Sequence, residues 1–120
     1  MSTIMVVDDS TMAREMISIQ LKRSGFSVIE AADGAEAIEK MKAKMPDLVI
    51  TDIVMPKMNG YELCRWIKND AKIKDIPVIM CTTKSEEFDR YWGMKQGADA
   101  YITKPYHPPE LIDAVKQLLQ

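Results

Sequence analysis

Five short apolar runs punctuate the chain: Ile4–Val7, Ser27–Ala31, Leu48–Thr51, Val78–Thr82 and Ala100–Ile102. Most are nearly continuous in Val, Ile, Leu and Met rather than alternating, the pattern of strands covered on both faces. Between them lie helix-length stretches with recognisable ends. Asp33 with Glu36, and Asn59 with Glu62, place a capping side chain three residues before an acid, and Thr83 with Glu86 offers a third such pair. Gly25 and Gly97 fall where the first and fourth helices should stop. Pro108 and Pro109 suit the first turn of the last helix, whose Leu111, Ala114, Val115, Leu118 and Leu119 form one stripe. The alternation predicts an α/β fold of (βα)5 type, a doubly wound parallel sheet. It occupies residues 1–120 as one domain, with no linker or repeat and no stretch left for an output domain.

Composition narrows the partners. Sixteen basic residues against 18 acidic ones give a net charge of −2, so no global field draws nucleic acid or an anionic membrane. The segment MSTIMVVDDS lacks the basic and long apolar regions of a signal peptide, and no run approaches a membrane span, which predicts a cytoplasmic protein. Cys64 and Cys81 sit among apolar neighbours outside any CxxC pair. Buried free thiols are the expectation, and a disulfide is the lesser reading.

Chemistry in an open α/β sheet collects at the carboxyl ends of the strands. Those ends carry Asp8 and Asp9, then Asp52, then Thr82 and Thr83, then Lys104; the second strand offers nothing comparable. A sheet order of 2-1-3-4-5 sets strands 1, 3 and 4 side by side at about 4.8 Å and strand 5 about 10 Å from strand 3. The order 3-2-1-4-5 would push Asp52 away from the acidic pair, so the polar residues favour the first. Three carboxylates beside one lysine leave negative charge uncompensated. With only oxygen ligands at hand, the cluster predicts Mg²⁺, or Mn²⁺, rather than zinc. A hard cation, a lysine and a threonine hydroxyl around one central carboxylate describe a phosphoryl site with Asp52 as nucleophile.

Helix capping could account for one of Asp8 and Asp9, but not for the adjacent pair. Asp52 alone would read as a turn residue before MPKMNG, and Thr82 alone as a β-former ending a strand. Phe88, Tyr91 and Trp92 at helical spacing are more often core than interface. Three cannot all face inward on one short helix, so Tyr91 is expected to pack and Trp92 to be partly exposed near a half-buried Tyr101. The methionines read as adaptable core filler. His107, before Pro-Pro, reads as a helix entry.

The motifs VVDDS, TDIVMPKMNG, PVIMCTTK and AYITKP, spread over the whole chain, resemble the receiver domains of two-component signalling, the CheY-like response regulators. The resemblance implies that Asp52 is the phosphoacceptor. It makes Asp9 and Asp52 direct Mg²⁺ ligands, Asp8 a ligand largely through water, and the Val54 main-chain carbonyl a further one. Lys104, before a cis peptide bond to Pro105, would join Thr82 and Thr83 in binding the phosphoryl group. Thr82 would be the switch hydroxyl and Tyr101 the aromatic that moves with it. Val54 and Lys84 depart from the CheY-like pattern, a valine for a polar residue and a lysine for an acid, and the valine, unable to hydrogen-bond the attacking water, implies a longer-lived phosphate. The stretch TTKSEEFDRYWGMKQGADAYITKP is similar to the PilH-like regulators of twitching motility and type IV pilus systems.

The resulting expectation is a stand-alone response regulator that assists its own phosphorylation and dephosphorylation, acts on no separate substrate and is not an enzyme in that sense. It would be phosphorylated by a histidine kinase or phosphotransfer domain in a chemotaxis- or motility-type pathway. Its output would be a change in affinity for an effector protein at the helix 4–strand 5–helix 5 face, around Trp92 and Tyr101, with the chain monomeric. A phosphate sink that drains a shared kinase is the alternative within signalling. An aspartyl-nucleophile phosphatase would want an acid where Val54 stands and a cap insertion. An FMN-binding flavodoxin-like protein would want a neutral hydroxyl-rich loop where DDSTM stands.

Overall fold

The computed structural model describes residues 1–120. Strands and helices alternate without exception: β1 (Thr3–Val7), α1 (Thr11–Arg23), β2 (Ser27–Ala31), α2 (Gly34–Ala43), β3 (Leu48–Thr51), α3 (Gly60–Lys68), β4 (Val78–Thr82), α4 (Glu87–Lys95), β5 (Ala100–Thr103) and α5 (Pro108–Leu118). The sheet is parallel throughout, in the order β2-β1-β3-β4-β5. Only β1 and β5 differ from the sequence expectation, each by one threonine at an end.

The continuous apolar strands are explained by two cores, one on each face. Met5, Val7, Val49, Val78, Met80 and Tyr101 point to the face covered by α2, α3 and α4, where Ala37, Leu63, Cys64 and Ile67 meet them. Ile4, Val6, Ile50, Ile79, Cys81 and Ile102 point to the other face, against Ile17 and Leu21 of α1 and Leu111 and Val115 of α5. Successive side chains of a strand alternate faces, so a strand between two helical layers must be apolar at every position. Cys64 and Cys81 are free thiols, one in each core.

Most helix ends behave as their sequences predict. Asn59 and Glu62 form a reciprocal capping box, and Asp33 Oδ1 accepts from the Glu36 N–H at 2.8 Å. Gly25 and Gly97 have φ of +92° and +107° just past the ends of α1 and α4. His107 precedes α5 with extended backbone, and the two prolines open that helix. The Thr83–Glu86 pair is a correction: α4 begins at Glu87, with Glu86 before it and the Asp89 carboxylate accepting from the Glu86 N–H at 3.2 Å. The chain cannot turn helical at Thr83 because the next residue is already committed. The Lys84 N–H donates to Thr82 Oγ1 at 3.3 Å and the Lys84 carbonyl accepts from the Tyr101 hydroxyl at 2.7 Å.

No helix is long and apolar enough to cross a membrane.

Candidate functional site

Register carries the polar residues to one edge. Val7 pairs with Thr51, Thr51 with Met80 and Thr82 with Thr103, so the residues that follow these strands emerge together. The ladder runs one residue into each loop: the Asp52 N–H donates to Val7 O at 2.9 Å, the Asp8 N–H to Ala31 O at 3.1 Å, and the Lys104 N–H to Thr82 O at 2.7 Å. Asp8, Asp52 and Lys104 therefore leave the sheet from fixed backbone.

Asp8, Asp9 and Asp52 each offer a carboxylate oxygen within 4.8 Å of the others. Lys104 Nζ lies 2.7 Å from Asp8 Oδ2 and 3.5 Å from Asp52 Oδ2. Burial pulls the Lys104 pKa down, but the hydrogen bond to Asp8 and the charges of Asp52 and Asp8 outweigh it, and the net shift is upward. The ammonium is thus held charged between two acids. Asp8 is only 1% exposed, and its second oxygen accepts from the Ser10 N–H at 2.9 Å. Asp52 Oδ1 accepts from the Ile53 N–H at 2.6 Å. Asp9 is exposed. Three carboxylates against one nearby ammonium, with no sulfur or imidazole among them, fit a hard divalent cation that takes oxygen ligands.

Thr82 is fully buried at the end of β4, and Thr83 is exposed. Val54 stands two residues after Asp52 with its side chain 58% exposed. Lys84 directs its ammonium to Asp89, at 3.8 Å. The Lys104–Pro105 peptide is cis.

Tyr101 differs from expectation. Its side chain is buried rather than half-buried, with the Arg90 guanidinium 5.3 Å from the ring centre. Burial, ahead of neighbouring charges, drives its hydroxyl pKa up. The room for the ring comes from Gly93 of α4: a Cβ there would meet Met80 Sδ at 2.8 Å and the Tyr101 ring at 3.0 Å.

Tyr91 is a further correction, exposed by 60% instead of packed; Phe88 is exposed as well, and Trp92 partly so at 38%. Gly93 is the buried residue of α4, which turns positions 88, 91 and 92 outward. Phe88 and Trp92 stack at 6.4 Å, and Lys95 lies 6.0 Å from the Tyr91 ring centre.

Two residues of the site escaped sequence reasoning. Gly60, read as half of a loop signal, opens α3 so close to the Asp52 carbonyl that any Cβ would collide with it. Arg14 of α1 reaches back to the Asp8 main-chain carbonyl, at 2.7 Å. Its signal was the charged Glu30 inside the otherwise apolar β2, which is its partner at 3.0 Å.

An α/β sheet of order 2-1-3-4-5 with an acid cluster, a threonine and a lysine at its carboxyl edge defines a class, and comparison with known proteins agrees. The chain belongs to the response regulator receiver domain family, whose model matches residues 4–116. It is 40% identical over 117 residues to the alkaline phosphatase synthesis transcriptional regulatory protein PhoP of Bacillus subtilis, covering 98% of this chain and 48% of that protein. It is 41% identical over 118 residues to the phosphate regulon transcriptional regulatory protein PhoB of Pseudomonas aeruginosa, covering 98% and 52%. The chain thus spans about half the length of the curated relatives it matches. Among solved structures, the receiver domain of a signal transduction histidine kinase from Syntrophus aciditrophicus superposes with a TM-score of 0.93 at 37% identity, over 99% of this chain and 90% of that one. The chemotaxis protein CheY4 of Vibrio cholerae gives 0.92 at 33% identity, over 99% of both.

Proposed function

We propose that Asp52 accepts a phosphoryl group from the phosphohistidine of a kinase or phosphotransfer domain. An Asp52 carboxylate oxygen forms the new P–O bond as the P–N bond to the donor imidazole breaks, and the imidazole leaves with a proton. The observation that carries this reading is the convergence of Lys104 and two further carboxylates on Asp52. Asp8, Asp9, Asp52 and the Val54 carbonyl would hold Mg²⁺ or Mn²⁺, which supplies neutralisation of the phosphoryl charge. Lys104, already charged beside Asp52, takes the phosphoryl oxygens, with the Thr82 hydroxyl and the exposed Thr83 beside it.

The readout runs through one residue. Thr82 and Tyr101 both hold Lys84, by its N–H and its carbonyl respectively. A phosphoryl group of charge about −1.5 to −2 draws the Thr82 hydroxyl away from that N–H. The loop carrying Lys84 then shifts and takes the partner of Tyr101 with it. Buried Tyr101 is one of two states whose populations phosphorylation changes. The effector surface is the α4–β5–α5 face, supported by the exposed Phe88, Tyr91 and Trp92. A motility-type pathway is supported by the residues from Thr82 to Pro105 and by a chemotaxis protein among the similar structures, while relatives of higher identity are named for alkaline phosphatase synthesis and the phosphate regulon.

Intact mass after incubation with a small phosphoryl donor tests the site. A Mg²⁺-dependent gain of one phosphoryl group, absent in Asp52→Asn, is expected. Equal gain in the variant would move the acceptor elsewhere. Val54→Asn, which puts an amide beside Asp52 able to orient water, should shorten the phosphate lifetime severalfold in the same buffer; an unchanged lifetime would remove Val54 from the kinetics.

A further inference from the structure

Each polar atom of Asp8 has a partner within the fold. Its N–H donates to Ala31 O, Oδ1 accepts from the Ser10 N–H, Oδ2 from Lys104, and its main-chain carbonyl from Arg14 Nη1. That carbonyl belongs to the peptide joining Asp8 to Asp9. The Asp9 carboxylate is the exposed member of the cluster, so its direction depends on the orientation of this one peptide plane. Arg14 is placed to set it. The Arg14 side chain is 16% exposed, and its Nε lies 3.0 Å from Oε1 of Glu30 on β2, whose side chain is 35% exposed. Glu30 is anchored in turn, since its main-chain carbonyl accepts from Lys40 Nζ at 2.6 Å. The contact therefore joins three elements, β2, α1 and the β1–α1 turn.

A partly exposed Arg–Glu pair is a poor device for stability alone, because water screens the attraction and ordering two long side chains costs entropy. Its planar fork, however, can hold a carboxylate and a carbonyl at once in fixed geometry, which a lysine cannot reproduce. Groups that orient metal ligands without touching the metal commonly change affinity 10–100-fold when they are removed.

We infer that Arg14, clamped by Glu30, is a positioning residue for the cation site, and that it acts by holding the Asp8–Asp9 peptide. The inference rests on the reading of Asp8, Asp9 and Asp52 as cation ligands. The test is Mn²⁺ binding to the full chain, followed by electron paramagnetic resonance without any phosphoryl donor, with urea unfolding measured on each variant. Arg14→Met keeps the apolar stem and removes the fork; Mn²⁺ affinity should fall about tenfold. Arg14→Lys should recover only part of the loss. Glu30→Gln, which leaves Arg14 in place and loosens its clamp, should weaken binding about threefold, and it carries the test if Arg14→Met does not fold. Unchanged affinity in folded Arg14→Met, or in Glu30→Gln should that variant stand alone, would overturn the inference and leave the pair a structural link. The parent and Asp9→Asn serve as the control. If the parent binds no Mn²⁺, or Asp9→Asn binds as well as the parent, the cation-site reading itself fails and the role of Arg14 falls with it.

Discussion

The two ends of the site are built in opposite ways. At β1 and β3, Asp8 is held at four atoms, Asp52 leaves a strand flanked on both sides, and Gly60 seals the loop against the Asp52 carbonyl. At β4 and β5, α4 buries little besides Gly93 and rests on Tyr101, whose hydroxyl bonds the Lys84 carbonyl, while the Tyr61 hydroxyl lies 3.4 Å from the Asp89 carbonyl. Charge must be gathered at the first end, and a set of acids that had to assemble on demand would lose the advantage of prior orientation. On the proposed reading the second end responds, and an element with few buried apolar contacts can shift at low cost. The same sheet therefore carries a fixed half and a yielding half.

Gly60→Ala should break the fixed half hardest. Its Cβ has no room against the Asp52 carbonyl, and backbone cannot rotate away as a side chain can. A loss of about 1–3 kcal/mol or more is expected in urea unfolding, together with weaker Mn²⁺ binding. Stability within 0.5 kcal/mol of the parent would show that this loop also yields.

The buried thiols, Cys64 on α3 and Cys81 on β4, report on the packing beneath both halves by titration. Burial pushes Cys64 up to about 11 and Cys81 up to about 12. Above pH 9 the unfolded thiols release protons that the folded ones keep, so stability is intact below that pH and declines as pH rises further. The decline is on the order of 1 kcal/mol per thiol at pH 10, and Cys64→Ala with Cys81→Ala should flatten that part of the profile. At pH 8 neither thiol should react with a disulfide reagent except through unfolding. Fast labelling of folded protein would contradict their burial.

Gly93→Ala sharpens the contrast from the yielding side. Alanine in a helix gains about 1 kcal/mol over glycine, while overlap with Met80 and the Tyr101 ring costs about 1–3 kcal/mol. The net stability change should be small and the structural one large: Tyr101 should leave its pocket and lose the bond to Lys84, visible as a shift of its ring resonances. An unmoved ring would mean that α4 gives way instead. Smallest of all, Phe88→Ala and Trp92→Ala should each change stability by less than about 0.5 kcal/mol, since both are exposed, while weakening any partner that docks on α4. A larger loss of stability would make the Phe88–Trp92 stack part of the fold.

The acids, threonine and lysine at the strand ends were legible in the sequence and the orientation of α4 was not, for one physical reason. Strands buried on both faces write themselves as unbroken apolar runs, and acids at their ends stand out against them. Asp8, Asp9, Asp52, Thr82 and Lys104, and the strand order that gathers them, could all be read this way. The orientation of α4 depends on a residue with no side chain. Periodicity assigns the inward face to the aromatics, but Gly93 holds it, and hydropathy gives a glycine no weight in that choice. The start of α4 was hidden similarly, because Thr83 and Glu86 have the right spacing for a cap while Thr82 and Tyr101 hold the main-chain N–H and carbonyl of Lys84. Arg14 was missed because a lone arginine on a surface helix looks solvated until the strand that holds its partner is placed beside it.

The grip on Lys84 has a consequence for how such a protein can diversify. Both bonds, from Thr82 and from Tyr101, are made to main-chain atoms. The connection between the acid cluster and the α4 face is thus indifferent to which side chain stands at position 84; among the standard residues only proline, lacking the N–H, would sever the Thr82 half. The side chain is left free for another task and points to Asp89. At this one residue both bonds belong to the backbone, and the side chain is open to mutation.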